Sequence, residues 1–173
     1  VKGMRDGQPL SDFCILYRTH AQSRVLEEQL RNQGIPYLIF GGIRFYERRE
    51  IKDLIAYLRL IFSPEDTVSL RRVINTPPRG LGEVTLQRLN LFAESEKITL
   101  YEAIHQVVVE NDEAAGVTKA GKQGLATFYR LIEGMQDEVQ KIPLGDLARL
   151  LVTETDYINY IREGAEGEDK GDK

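Results

Sequence analysis

Tyr17 and Arg18 stand side by side at the end of the apolar run Phe13-Cys14-Ile15-Leu16, just before a helix start at Thr19. An aromatic ring can stack on a base, and an arginine can clamp a phosphoryl group. After a strand, such a pair sits at the carboxyl edge of a sheet, where open α/β folds take their ligands. A second cluster, Gly41-Gly42-Ile43-Arg44-Phe45-Tyr46-Glu47-Arg48-Arg49-Glu50, sets two aromatics among three arginines. That mixture suits a single-stranded backbone with stacked bases, and equally a helix start with salt bridges and core aromatics. A third, Asn75-Thr76-Pro77-Pro78-Arg79-Gly80-Leu81-Gly82-Glu83, joins two predicted helices through a Gly-x-Gly hairpin. Its glycines let the backbone approach a phosphate with no Cβ in the way. The amides that open the next helix point at whatever lies there. Arg79 adds a cation, with Arg71 and Arg72 in the preceding helix. This helix-hairpin-helix pattern suits a DNA backbone read without regard to sequence; a ligand-free Gly/Pro turn would carry the same residues.

The elements that must hold these clusters follow from the apolar spacing. Phe13 to Tyr17 reads as a short buried strand. Ala21 to Gln33 reads as a helix with Val25, Leu26 and Leu30 on one face and Gly34 as its stop. Pro36 to Phe40 reads as a second strand, ended by Gly41-Gly42. A helix from about Glu47 to Phe62 carries Ile51, Leu54, Ile55, Leu58, Ile61 and Phe62 on its stripe, and Pro64 closes it. This β-α-β-α order predicts parallel strands joined by a right-handed crossover, and two strands are too few to stand alone. The first 64 residues therefore read as a slice of a larger α/β domain.

Beyond Pro64 the pattern is helical. Asp66 caps a predicted helix to about Asn75, and Glu83 to Glu94 forms the next. Thr99 with Glu102 makes a capping box opening a helix to about Val109. Further helices run from about Gly121 to Gln140 and from Pro143 through Leu144, Leu147, Leu150 and Leu151. The expected fold is thus α/β plus all-α, with a boundary near residue 65, a helical domain over 65–163 and a disordered acidic tail over 164–173.

Charge is uneven along the chain. Residues 1–90 hold 14 Lys/Arg against 10 Asp/Glu, and residues 91–173 hold 9 against 17. Such asymmetry points to a local contact surface and away from a wholly basic binder. The single cysteine, Cys14, can form no internal disulfide and no thiolate metal cluster. No apolar run approaches the roughly 20 residues that span a bilayer, and no signal-peptide layout opens the chain, so a reducing cytoplasm is expected. Gly116 to Gln123 fits GxxxxGK, but Gln123 replaces the Ser/Thr whose hydroxyl binds magnesium, and a polar loop precedes it. Val107-Val108-Val109 mimics a strand before an acidic pair, yet its capping box calls for a helix. His20 and His105 are isolated, and no catalytic triad or metal-ligand spacing is visible.

Taken in order, the clusters resemble the superfamily 1 DNA helicases of the UvrD/PcrA/Rep type. Tyr17-Arg18-Thr19-His20-Ala21-Gln22-Ser23-Arg24-Val25-Leu26-Glu27-Glu28 resembles the family's motif IV. Gly41-Gly42, Phe45-Tyr46-Glu47-Arg48 and Glu50-Ile51-Lys52-Asp53 resemble motif IVa. Leu58-Arg59-Leu60 and the Thr76 to Gly82 hairpin follow in order, across about residues 12–90. His20 departs from the family's usual Asn. The resemblance implies that residues 1–64 are part of the second RecA-like motor domain, 2A, and residues 65–163 part of the inserted helical domain, 2B. It implies that Tyr17 stacks on adenine and that Arg18, as a catalytic group, reaches the γ-phosphate from across a cleft. Arg44, Phe45, Arg48 and Lys52 become candidates along the nucleic-acid track. Thr76, Arg79, Gly80, Leu81 and Gly82 become the grip on duplex DNA. ATP and Mg²⁺ would serve the full-length parent, with little binding by this chain, which lacks a phosphate loop. DNA and the missing motor domain would be its partners. The implied activity is 3′→5′ unwinding in DNA repair or replication, with this piece inactive alone. The alternative is a self-sufficient helix-hairpin-helix DNA-binding module, or a protein-interaction domain, without a motor.

Overall fold

Helices dominate the computed structural model, which describes residues 9–39 and 45–168. Eight α-helices are present among the described residues: α1 (His20–Asn32), α2 (Arg49–Phe62), α3 (Thr67–Val73), α4 (Glu83–Glu96), α5 (Leu100–Val108), α6 (Lys119–Glu138), α7 (Leu144–Glu154) and α8 (Tyr157–Glu168). Short 3₁₀ turns occupy Leu10–Asp12 and Phe45–Glu47. The chain divides into two compact units, Val1–Arg48 and Arg49–Lys173.

The expected α/β fold is not found: among the described residues no strand is present. The segments taken as parallel strands, Phe13 to Tyr17 and Pro36 to Phe40, run without ladder partners as far as they are described, and Phe40 lies outside the described residues. A strand is a paired state, because each backbone N–H and C=O needs a neighbour. Apolar runs signal a wish for burial and carry no information on whether a neighbour exists. Here burial is not met either. Leu16 is 90% exposed and Leu38 73% exposed, with Phe13 and Ile15 about half exposed. The RecA-like β-α-β-α unit is therefore absent from the described structure.

The helical pattern is met closely. Asp66 caps α3, its carboxylate accepting from the Ser69 amide at 3.0 Å and the Ser69 hydroxyl at 2.7 Å. The Thr99 box caps α5: the Thr99 amide donates to Glu102 Oε2 at 2.7 Å, and the Glu102 amide donates to Thr99 Oγ1 at 3.1 Å. Val107 and Val108 lie in α5, and Thr118 caps α6 where the GxxxxGK look-alike falls. Helix α8, which the apolar spacing did not announce, extends to Glu168; residues 169–173 lie outside the described residues.

These amide contacts hold the Asp66 and Glu102 carboxyls below their ordinary values of 3.8 and 4.5. A depressed folded-state value stabilises the fold above the ordinary value, and that contribution is lost as pH falls through the depressed one. Melting temperature should therefore fall on acidification below about pH 4, and less steeply in an Asp66→Asn, Glu102→Gln double variant. Identical acid profiles for the two proteins would rule the caps out.

Helix α2 buries Asp53, Ala56, Tyr57, Leu60 and Ile61, whereas Phe62 is exposed. The buried face is thus turned by about one residue from the apolar stripe of Ile51, Leu54, Ile55 and Leu58, which lie at intermediate depth. Asp53 lies on that buried face and finds charge and hydrogen-bond partners there. Its carboxylate meets Arg72 of α3 at 2.7 Å and the Tyr157 hydroxyl of α8 at 2.6 Å, with Arg49 at 3.8 Å. Arg49 also bonds the Tyr160 hydroxyl. Burial, then the hydrogen bond to Asp53 and its charge, push the Tyr157 hydroxyl's pKa up, so it stays a donor.

The core of the second unit joins Leu60, Leu70, Val73, Leu89, Ile104, Leu125, Phe128, Ile132 and Leu147, each 1% exposed or less. Each such side chain contributes roughly 1.5–3 kcal/mol of burial. This core is the platform on which the hairpin between α3 and α4 stands.

Candidate functional site

The hairpin is built from the end of α3 outward. Val73 and Ile74 are buried, and Asn75 then turns the chain with its side chain. Asn75 Oδ1 accepts from the Arg79 amide at 2.7 Å and the Leu81 amide at 3.3 Å, and Nδ2 donates to the Leu81 carbonyl at 2.9 Å. Asparagine suits this work because its carboxamide imitates a peptide group. Thr76-Pro77 is a cis peptide, and Gly80 takes φ +69°, the left-handed region that favours glycine.

The Arg79 guanidinium faces the chain's own carbonyls. Nη1 donates to the carbonyls of Val73, Ile74 and Pro77 at 3.1, 3.2 and 3.1 Å, and Nη2 donates to the Tyr57 hydroxyl at 2.6 Å. Tyr57 in turn donates to the Thr76 carbonyl at 2.5 Å. The cation lies 5.4 Å from the Phe128 ring centre. A guanidinium over the last carbonyls of α3 opposes the negative end of that helix, and the aromatic face adds to its hold. Burial raises the Tyr57 hydroxyl's pKa, partly offset by Arg79, so the phenol stays protonated.

Of the other hairpin residues, Leu81 is 2% exposed and packs into the core. Thr76 is half-buried, while Gly80 and Gly82 are exposed. Gly82 caps α4 by backbone alone. The amides of Gly80, Gly82, Glu83 and Val84 have no acceptor among the described residues. They form an exposed row of donors at the positive end of a 14-residue helix. The Glu83 carboxylate, in the same turn, is within 3.5 Å of Gln87.

Helix α6 supports this loop through glycines. A Cβ on Gly124 would lie 2.4 Å from the Arg79 carbonyl oxygen and 2.9 Å from Leu81, and one on Gly121 2.9 Å from Val117 and 3.0 Å from Thr85. The Gly121-Lys122 pair that imitates a phosphate loop thus lies where α6 packs closely against α4, with Gly124 one turn on against the hairpin.

In the first unit Tyr17 is half-buried and Arg18 exposed. The Arg18 amide donates to Gln22 Oε1 at 3.0 Å, which fixes the turn into α1, while its guanidinium has no partner among the described residues. Phe45 and Tyr46 pack edge to face, 5.1 Å apart. Arg24 and Arg48 lie 5.2 and 5.8 Å from the Phe45 ring centre, and Arg31 lies 4.2 Å from that of Tyr46. Buried Glu27 ties this cluster down, accepting from the Tyr37 hydroxyl at 3.1 Å and the Phe45 amide at 3.3 Å. The structure so joins Phe45 and Arg48 with Arg24 and Arg31 of α1. Lys52 is exposed on α2 in the second unit, and Arg44 lies outside the described residues.

The sequence placed Asn75 in the hairpin cluster without a role, and Tyr57, Phe128 and Gly124 were not connected to it. An Asn directly before Thr-Pro-Pro is a turn signal that singles out the first. The others act across long sequence separations and leave no local trace. No helix among the described residues is long and apolar enough to cross a membrane.

Residues 1–151 match the family described as the UvrD-like helicase C-terminal domain. Over 153 residues the chain is 38% identical to the ATP-dependent DNA helicase PcrA of Bacillus subtilis, covering 88% of this chain and 20% of that protein. Over 157 residues it is 36% identical to PcrA of Staphylococcus epidermidis and 35% identical to PcrA of Staphylococcus aureus, covering 91% of this chain and 21% of each. The chain spans about a fifth of the length of the curated relatives it matches.

Proposed function

The chain belongs to the UvrD-like helicase C-terminal domain family, and from that we propose that it serves as part of an ATP-dependent DNA helicase of 3′→5′ polarity. The observation that carries this is the family match over residues 1–151, which takes in both the Tyr17-Arg18 pair and the hairpin. In this reading ATP with Mg²⁺ powers the longer protein, and this chain supplies two things.

The first is a nucleotide contact. The half-buried Tyr17 ring offers a stacking face for adenine, and the exposed Arg18 guanidinium is free to stabilise charge on the γ-phosphate. The second is a DNA grip. Thr76, Arg79, Gly80, Leu81 and Gly82 shape the hairpin that meets a duplex backbone. Arg44, Phe45, Arg48 and Lys52 are candidates for contact with the single strand, by residue type and by the family pattern. Support for the grip comes from the exposed, unpartnered amides at the start of α4, which suit phosphate oxygens and cannot read bases.

The test is duplex binding by the chain across a salt series. Unrelated sequences should bind alike, and log K should fall linearly with log salt, by about 0.9 for each phosphate neutralised. The excess of Asp/Glu over Lys/Arg in residues 91–173 (17 against 9) should keep that binding weak. A marked preference among duplex sequences, or no binding at low salt, would sink the grip.

A further inference from the structure

We propose that Asn75, Arg79 and Tyr57 are positioning residues of the DNA grip, and that Arg79 acts on DNA through the hairpin backbone and not by its charge. The inference rests on the duplex-grip reading and assigns its parts.

An arginine in a Gly-rich hairpin would ordinarily be taken as a phosphate contact. Here Nη1, one Nη2 proton and the backbone amide are engaged within the chain. Nη1 serves the Val73, Ile74 and Pro77 carbonyls, Nη2 serves Tyr57, and the backbone amide serves Asn75. To meet a phosphate through Nη1 or through the Nη2 proton given to Tyr57, the guanidinium would have to give up the end of α3 or the hydroxyl of Tyr57, which is 2% exposed.

What the three residues hold is the path of the loop. Arg79 pins it at Pro77 from below, and Tyr57 pins it at Thr76. Asn75 pins it at Arg79 and on both sides of the Leu81 peptide group. Between and beyond these pins, Gly80, Gly82, Glu83 and Val84 keep exposed amides with no acceptor among the described residues. The brace takes up the polar backbone groups it reaches, and the amides it leaves belong to exposed residues and have no acceptor among the described residues. A row of neutral donors fixed beforehand binds an anion with little ordering cost. Because those donors carry no charge, they release few counterions, so they contribute affinity without adding to the salt slope.

This separates the brace from a direct charge contact. Duplex binding is measured across a salt series for the full 173-residue chain, for Arg79→Lys, Arg79→Gln and Asn75→Ala, and for the Arg79→Lys, Asn75→Ala double variant. Each is checked for folding by its thermal melt, and amide exchange is followed at Leu81. A brace predicts that Arg79→Lys and Arg79→Gln lose affinity alike, by about tenfold, with the wild-type salt slope kept. Lysine keeps the charge but cannot span carbonyls and phenol with a planar fork. Asn75→Ala should show the same pattern with faster exchange at Leu81, and the double variant should lose less than the sum of its parts. Should an Arg79 variant fail to fold, Asn75→Ala carries the same test. If Arg79→Lys binds like wild type while Arg79→Gln loses about 0.9 from the slope, Arg79 is a charge contact and the inference is overturned. If the wild-type chain binds no duplex at low salt, the grip itself falls and this assignment falls with it.

Discussion

Gly124→Ala is expected to unseat the hairpin, lowering stability by about 1–3 kcal/mol and weakening duplex binding with it. Two effects oppose each other at this position. Alanine is the better helix former by about 1 kcal/mol. Against that, its methyl would come 2.4 Å from the Arg79 carbonyl oxygen and 2.9 Å from Leu81. The first of these neighbours is backbone held by the Asn75 and Arg79 bonds, so it cannot swing aside as the end of a side chain could. The clash wins. Gly134 is the control within the same helix, since a Cβ there meets nothing within 4 Å; Gly134→Ala should be neutral or stabilising. Thermal melts of the two variants settle the matter, and a Gly124→Ala protein as stable as Gly134→Ala would refute the close contact.

In the helicase proposed above, Arg18→Ala should cut ATP turnover by about 10³–10⁵-fold, the usual worth of an arginine that meets a transferring phosphoryl group. Arg18 and Arg79 are the same residue type in opposite circumstances. The Arg79 guanidinium is engaged by four acceptors of its own chain, whereas that of Arg18 has no partner among the described residues and is exposed. An exposed cation with no partner among the described residues is available to a ligand. Since its work lies in the transition state, KM for ATP should move little while kcat falls. Tyr17→Ala should do the reverse, raising KM through lost stacking. Steady-state hydrolysis across ATP concentrations separates the two, and an Arg18→Ala enzyme with wild-type kcat would exclude the role.

How legible these features were in the sequence depends on how far away their partners lie. The caps at Asp66 and Thr99 were readable because each partner is three residues on. The helices of the second unit were readable because burial repeats along one face. Phe13 to Tyr17 and Pro36 to Phe40 misled, because their apolar residues imply burial while a strand needs a second strand. The face of α2 misled for a related reason: Asp53 looks like a surface charge until Arg72 and Tyr157 are brought to it.

By itself, then, the sequence determined the helices from residue 66 to about 151, the caps at Asp66 and Thr99, the presence of a Gly-Leu-Gly hairpin between two of those helices, and the family to which the clusters point. These are local properties, set by spacing, turn chemistry and residue type. Only the tertiary structure decided which way Arg79 faces, why Gly124 must lack a side chain, and which face of α2 is buried. Each of those is fixed by a group distant in the chain, a carbonyl, a phenol or a carboxylate, and hydrogen bonding and close packing act through space without regard to sequence distance.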